Sequence, residues 1–201
     1  MRHLLIVQRR IPFMRRFARS RHAHGSLVLA QGILVIGAAL LGVASVGYAV
    51  GIRVNLSGSI PPGLYRAVDR PIVRGSLVLA CLPPDVASLA RIRAYVRHGS
   101  CADGTAPVGK QVVALPRDTV DVGETGVFVD GRFVPNSAPL RVDSHGRSLP
   151  VLRITRHLVA PNEIWLVSSY STHSFDSRYF CGVPRRGVVS AIQPLFTGRW
   201  W

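Results

Sequence analysis

The sequence predicts a mainly β fold, an antiparallel β domain standing behind one N-terminal transmembrane helix. Three features point that way. Residues 26–52 contain no charged side chain. The stretch after them is a succession of short apolar runs punctuated by Gly and Pro, and only one short segment there has helical spacing. Many short strands with one small helix imply a sandwich or barrel-like antiparallel domain.

The first element is the N-terminal helix. Residues 1–25 hold seven Arg and no acidic residue, and residues 26–52 then read SLVLAQGILVIGAALLGVASVGYAVGI. As a helix this run would extend about 40 Å at ~1.5 Å per residue. A bilayer core of ~30 Å needs only about 20 residues, so the run crosses with some tilt. A cleaved signal peptide is the competing assignment, with small residues between Ala44 and Ala49 for cleavage. Signal peptides normally have an apolar stretch of only ~7–15 residues, so a retained helix is expected. Arg-rich segments stay in the cytoplasm. The expected layout is a basic cytoplasmic tail (1–25), a membrane helix (26–52) and a periplasmic domain (53–201), held at a bacterial inner membrane.

The exported part follows in order. Gly75–Leu82 (GSLVLACL) is an apolar strand stopped by Pro83 and Pro84. Asp85 is placed to cap a helix, VASLARIRAYVRHG, which Gly99 ends. Gln111–Leu115 is a buried type of strand stopped by Pro116. In Gly126–Val134 (GVFVDGRFV), Asp130-Gly131 between alternating apolar residues signals a hairpin. The loop Pro135–Leu149 is polar and aperiodic. Glu163–Ser168 is a further strand and Val188–Phe196 the last.

Composition bounds the function. At 201 residues and 48% hydrophobic content the chain supports a core. A net charge of +15 suggests an anionic partner, but all ten acidic residues lie beyond residue 52, where 18 basic residues face them. No helix-turn-helix or aromatic–basic ladder is present, so nucleic acid is not an expected partner and the lipid bilayer is. Cys81, Cys101 and Cys181 all fall on the exported side, where a disulfide can persist. Cys81 and Cys101 bracket a short segment and are the preferred pair, although three pairings are possible and the sequence does not choose. No CxxC or HxxxH spacing accompanies them, so a zinc site is not expected.

Chemistry concentrates in two places. NLSGSIPPGLYR, residues 55–66, follows the membrane helix directly, which keeps Ser59 within about 25 Å of chain from Ile52. Lys110 is the only lysine beside 24 arginines. Arginine does not deprotonate, whereas a buried lysine can serve as a base. The competing explanation is a surface lysine left by chance. A serine hydroxyl needs a positioned base, and Ser–Lys pairs are one known arrangement. A Ser–His–Asp triad would have to draw on His98, His145, His157 or His173, but no GxSxG elbow surrounds any serine.

SGSIPP (57–62), GKQVVALPRDTV (109–120) and SFDSRYF (174–180) together resemble, in order and spacing, the three signature boxes of type I signal peptidases. The form of Asn55–Tyr65 and the Cys81-Leu82-Pro83-Pro84 stretch are most similar to the TraF-type branch, the signal peptidases of conjugative transfer systems. The resemblance covers most of residues 40–196. It implies a signal-peptidase-like antiparallel β catalytic domain. It also implies Ser59 as nucleophile, Lys110 as general base, Ser57 as an oxyanion donor with the Ser59 N–H, and Ser174 as the residue orienting Lys110. Asp176 and Arg178 match an ion pair near the site, expected to be structural, and the resemblance implies neither a metal nor another cofactor. The sequence departs from the family pattern at Ile60 (Met), Arg117 (Gly of LPGD), Ser168–Ser171 (GDN) and Cys181-Gly182 (Gly-Pro).

The expected function is a membrane-bound serine endopeptidase that processes a pilin or related conjugative-transfer precursor, with water or an amine accepting the acyl group. A general leader peptidase acting on exported preproteins is the alternative within the class. A non-catalytic pilus-assembly scaffold and a DNA-binding membrane protein are alternatives of other classes.

Overall fold

The computed structural model describes residues 18–198. The chain divides between Ala49 and Val50. On the first side lies helix α1 (Ala18–Ala49), whose segment Val28–Ala49 has a mean hydropathy of 2.1 and enough length to cross a membrane. Its large apolar side chains are exposed, Ile33 at 71% and Leu41 at 71%. A helix apolar on all sides has no polar face to give to water. The helix ends at Ala49, short of the end of the uncharged run. Gly51 takes φ +88, and its carbonyl accepts from Ala67 N at 2.8 Å, so the backbone turns into a sheet and Ile52 begins a strand. The basic segment 1–17 lies outside the described residues.

The second unit is mainly antiparallel β. Its elements are β1 (Ile52–Asn55), β2 (Gly63–Val68), β3 (Leu77–Ala80), α2 (Pro84–Ile92), β4 (Val108–Ala114), β5 (Thr119–Gly123), β6 (Gly126–Val129), β7 (Arg132–Phe133), β8 (Ile154–Leu158), β9 (Glu163–Val167), α3 (Ser177–Phe180), β10 (Val183–Pro184) and β11 (Val188–Thr197). One sheet runs β1-β2-β11-β3-β4-β9-β10 and a second runs β7-β6-β5-β8. The last strand, β11, is thus inserted between β2 and β3.

The central strands β4 and β9 are buried along most of their length. That explains their unbroken apolar sequences, since a strand covered on both faces has no reason to alternate. Val113 and Trp165 join one core cluster with Val120, Val122 and Val127, whereas Val112 and Leu166 join another with Val78 and Ile164. The hairpin at Asp130-Gly131 has φ of +49 and +73, as a two-residue turn with both central residues left-handed requires. Strands β1, β2, β5, β8 and β10 and the short helix α3 go beyond the elements expected from sequence.

The helix after Pro83 differs from expectation. Pro83, not Asp85, is the N-cap, no side chain caps it, and Pro84 takes the first turn, where its missing N–H costs nothing. Asp85 lies inside that turn, favourable beside the helix dipole. The helix stops at Ile92 because Ala94 adopts φ +57 and Tyr95 packs with Phe175, ring centroids 4.9 Å apart. Tertiary packing overrides the helical spacing that continues to Gly99. Cys81 and Cys101 are joined by a disulfide, which closes this segment and leaves Cys181 free.

Candidate active site

The loop between β1 and β2 carries Ser57 and Ser59, and Asn55 shapes it. Its Nδ2 donates to the carbonyls of Ser57 and Ile60, each at 3.0 Å, and of Pro61 at 3.2 Å. Its Oδ1 accepts from Ser57 N at 3.1 Å and Ser57 Oγ at 2.7 Å. One short amide side chain therefore satisfies five backbone or hydroxyl groups in a turn that has no ladder of its own. Such Asx turns are what Asn provides locally. Ile60, buried, anchors the loop from below among Tyr65 and Ile192. It sits against Gly109, where a Cβ would come within 2.8 Å of Ile60 Cδ1. Glycine before Lys110 thus lets the serine loop approach β4.

Lys110 is the β4 residue that meets this loop. Its Nζ lies 2.6 Å from Ser59 Oγ and 2.7 Å from Ser174 Oγ, and the two hydroxyls are 3.4 Å apart. Lys110 is only 3% exposed. Burial lowers its pKa to about 8, partly opposed by Asp176 and assisted by Arg178. A substantial share of the amine is then neutral near pH 8, and a neutral amine can accept a hydroxyl proton.

Ser168, absent from the sequence expectations as a site residue, fixes Ser59 from another side. Its Oγ donates to the Ser59 carbonyl at 2.6 Å and accepts from the N–H groups of Tyr170 and Ser171. Its N–H donates to Asp176 Oδ2 at 2.9 Å. Asp176 and Arg178 are fully buried and paired in bidentate fashion, Nε to Oδ1 at 2.8 Å and Nη2 to Oδ2 at 2.9 Å. Arg178 also donates to the carbonyls of Asn136 and Ser168 at 2.8 and 3.1 Å. The pair joins three chain segments behind the site and does not hydrogen-bond Ser59. Breaking one half of such a pair would leave a buried charge.

Ser59, Lys110 and Ser174 are therefore brought together, with Ser57 beside them on the same loop, its hydroxyl turned to Asn55. Among the described residues no histidine hydrogen-bonds Ser59: His157 is held by Glu163 at 3.0 Å, and His173 leans on Thr172. Among the described residues no group of three His, Cys, Asp or Glu side chains is placed to hold a metal. A cleft of about 500 Å³ opens on Ser59 and Lys110, its apolar lining including Leu79, Leu82 and Val108.

Two departures from the family pattern have a common geometry. Arg117 and Cys181 stand where the pattern has glycine, and both adopt left-handed backbone, φ +79 and +68. The turns are kept, and the side chains are accommodated at conformational cost.

Comparison with known proteins places these features. The family model described as signal peptidase, peptidase S26, matches residues 26–196. The plasmid transfer protein TraF of Escherichia coli is 38% identical over 171 residues, covering 84% of this chain and 96% of that protein. The conjugal transfer protein TraF of Agrobacterium tumefaciens (strain 15955) is 41% identical over 181 residues, covering 88% and 98%. Among solved structures, a signal peptidase I from Enterococcus faecalis V583 matches 63% of this chain and 100% of its own at 15% identity, with a TM-score of 0.36.

Proposed function

This chain belongs to the S26 family of signal peptidases, and we propose that it is a Ser–Lys endopeptidase that processes a pilin or related precursor of conjugative transfer. The contact that carries this reading is the 2.6 Å approach of buried Lys110 Nζ to Ser59 Oγ. Neutral Lys110 takes the Ser59 proton as Oγ attacks the scissile carbonyl. The Ser59 N–H donates to the oxyanion that forms, joined by Ser57 Oγ once its hydroxyl rotates from Asn55 Oδ1 toward the reacting carbonyl. Ser174 holds Lys110 in line, and Lys110 then passes the proton to the leaving amine. The acyl-enzyme bond is broken by water, which releases an acid, or by an amine, which joins or cyclises the product.

The substrate class follows from the conjugal and plasmid transfer names of the relatives. The uncharged run and Arg-rich lead support a single-pass anchor with residues 1–25 cytoplasmic, 26–52 in the inner membrane and 53–201 periplasmic. The test is co-expression with a pilin precursor of a conjugative transfer system, followed by intact-mass measurement. Wild type should yield a shortened product, hydrolysed or lighter by one water if cyclised, and Ser59→Ala should leave the precursor whole. Equal processing by Ser59→Ala would remove the serine from the mechanism.

A further inference from the structure

Apart from Lys110, the cleft is lined by Arg53, Arg97 and Asp143 as charged groups, with His173 beside them. These three are not equivalent. Asp143 is occupied: Tyr95 Oη donates to Oδ2 at 2.5 Å and Arg147 Nε at 2.6 Å, while the N–H groups of His145 and Arg147 reach Oδ1 at 2.9 Å. The one carboxylate in the lining is thus neutralised by Arg147 and spent on tying the 140–149 loop to Tyr95. Arg53 turns Nη1 back to the Ile52 carbonyl at 2.9 Å. Arg97 is exposed, and among the described residues its guanidinium has no hydrogen-bond acceptor or ion-pair partner.

The backbone under Arg97 is nevertheless held firmly. Its carbonyl accepts from Ala106 N at 2.8 Å, His98 pairs with Thr105, and Gly99 lies so close to Ala106 that a Cβ would meet its Cα at 2.4 Å. The Cys81–Cys101 disulfide ties the same hairpin to the end of β3. An exposed side chain on a fixed platform, positively charged and without a partner among the described residues, is suited to receive a charge from outside the protein.

We propose that Arg97 is a specificity-determining residue that selects substrates bearing an Asp or Glu side chain in the segment that occupies this cleft. The inference rests on the peptidase reading above. Its size is bounded by its exposure, because ion pairs in contact with water are weak. The expected selection is roughly three- to fivefold per substrate position, declining as salt rises through screening.

The test uses the detergent-solubilised full-length protein and a peptide library prepared from a digested bacterial proteome, with cleavage sites read by mass spectrometry. Wild type should enrich Asp and Glu at one defined position near the cut. Arg97→Gln should lose that enrichment, Arg97→Lys should keep it, and Arg97→Glu should replace it with Lys and Arg. Arg186→Glu, on an exposed turn outside the cleft, should behave as wild type. Absence of acidic enrichment in wild type, or its persistence in Arg97→Gln, overturns the inference while leaving peptidase activity standing. Cleavage that is identical in Ser59→Ala would instead overturn the peptidase reading beneath it.

Discussion

The Ser168 hydroxyl donates a 2.6 Å hydrogen bond to the carbonyl of Ser59, across 109 positions of sequence. A residue that replaces the usual GDN pattern thus holds the backbone of the proposed nucleophile directly. Ser168→Ala should leave that carbonyl and the N–H groups of Tyr170 and Ser171 without their partner. Loss of a buried partner costs about 1–3 kcal/mol. A lowered Tm together with at least a tenfold fall in kcat is expected. Ser168→Thr, which keeps the hydroxyl, should recover part of both, and a kcat unchanged in Ser168→Ala would show that Ser59 needs no such support.

Lys110→Arg should be as inactive as Lys110→Met. Arginine remains protonated, so it offers no lone pair to the Ser59 proton. Because the proposed mechanism works through the neutral lysine, kcat/KM should rise with pH through about 8, the value to which burial lowers its pKa. The profile measured on purified enzyme checks this. A limb that disappears in a His173 variant would transfer the role to histidine.

The same shift sets a stability prediction of defined sign. Lys110 has a folded pKa of about 8 against 10.5 unfolded, so between these values the unfolded chain binds more protons and stability rises with pH. Below pH 8 the folded state carries the full penalty of a buried charge, about 3 kcal/mol at ~1.36 kcal/mol per pH unit. Lys110→Met should therefore raise the Tm at pH 7, offset in part by the loss of its hydrogen bonds to the Ser59 and Ser174 hydroxyls. Its advantage over wild type should shrink between pH 8 and 10.5. A Tm difference that stays constant over that range would contradict the assignment.

Ser57→Ala and Asn55→Ala should separate donor from scaffold. Losing one oxyanion donor typically costs on the order of 10²–10³ in kcat, with the fold intact. Asn55 instead organises the whole loop through five hydrogen bonds. Its removal should lower kcat further and also raise protease sensitivity near residues 55–62, as measured by limited proteolysis. Equal effects of the two substitutions would mean that Asn55 acts only through Ser57.

Arg117→Gly should stabilise the protein. At φ +79 arginine is in a conformation that disfavours side chains by roughly 1–2 kcal/mol, part of which glycine returns as unfolded-chain entropy. A net gain of about 0.5–1 kcal/mol should appear in urea unfolding of the solubilised protein. Destabilisation would show that the Arg117 side chain contributes contacts greater than the strain.

Legibility in the sequence followed the range of the interaction. The Asp130-Gly131 hairpin and the Glu163–Val167 strand were readable because turn chemistry and apolar runs are local signals. The extent of α2 was not, because the contact of Tyr95 with Phe175 that ends it spans distant sequence. Within the site, Lys110 stood out by its rarity against 24 arginines. Ser168 carried no such mark, since one serine in a loop looks like any other until its partner is known. Asn55 offered a usable clue in its Asn-x-Ser spacing, which favours an Asx turn.

The position of β11 between β2 and β3 has a consequence for when the protein can act during synthesis. The serine loop precedes β2 closely, whereas Ser174 and the strand that completes the sheet are made more than a hundred residues later. A nascent chain holding Ser59 and Lys110 but lacking Val188–Thr197 has a gap where two strands should be bridged. The proposed centre of Ser59, Lys110 and Ser174 is therefore assembled only after β11 has been made. A peptidase built this way stays harmless to its own unfinished chain, and to its neighbours, until that strand is in place.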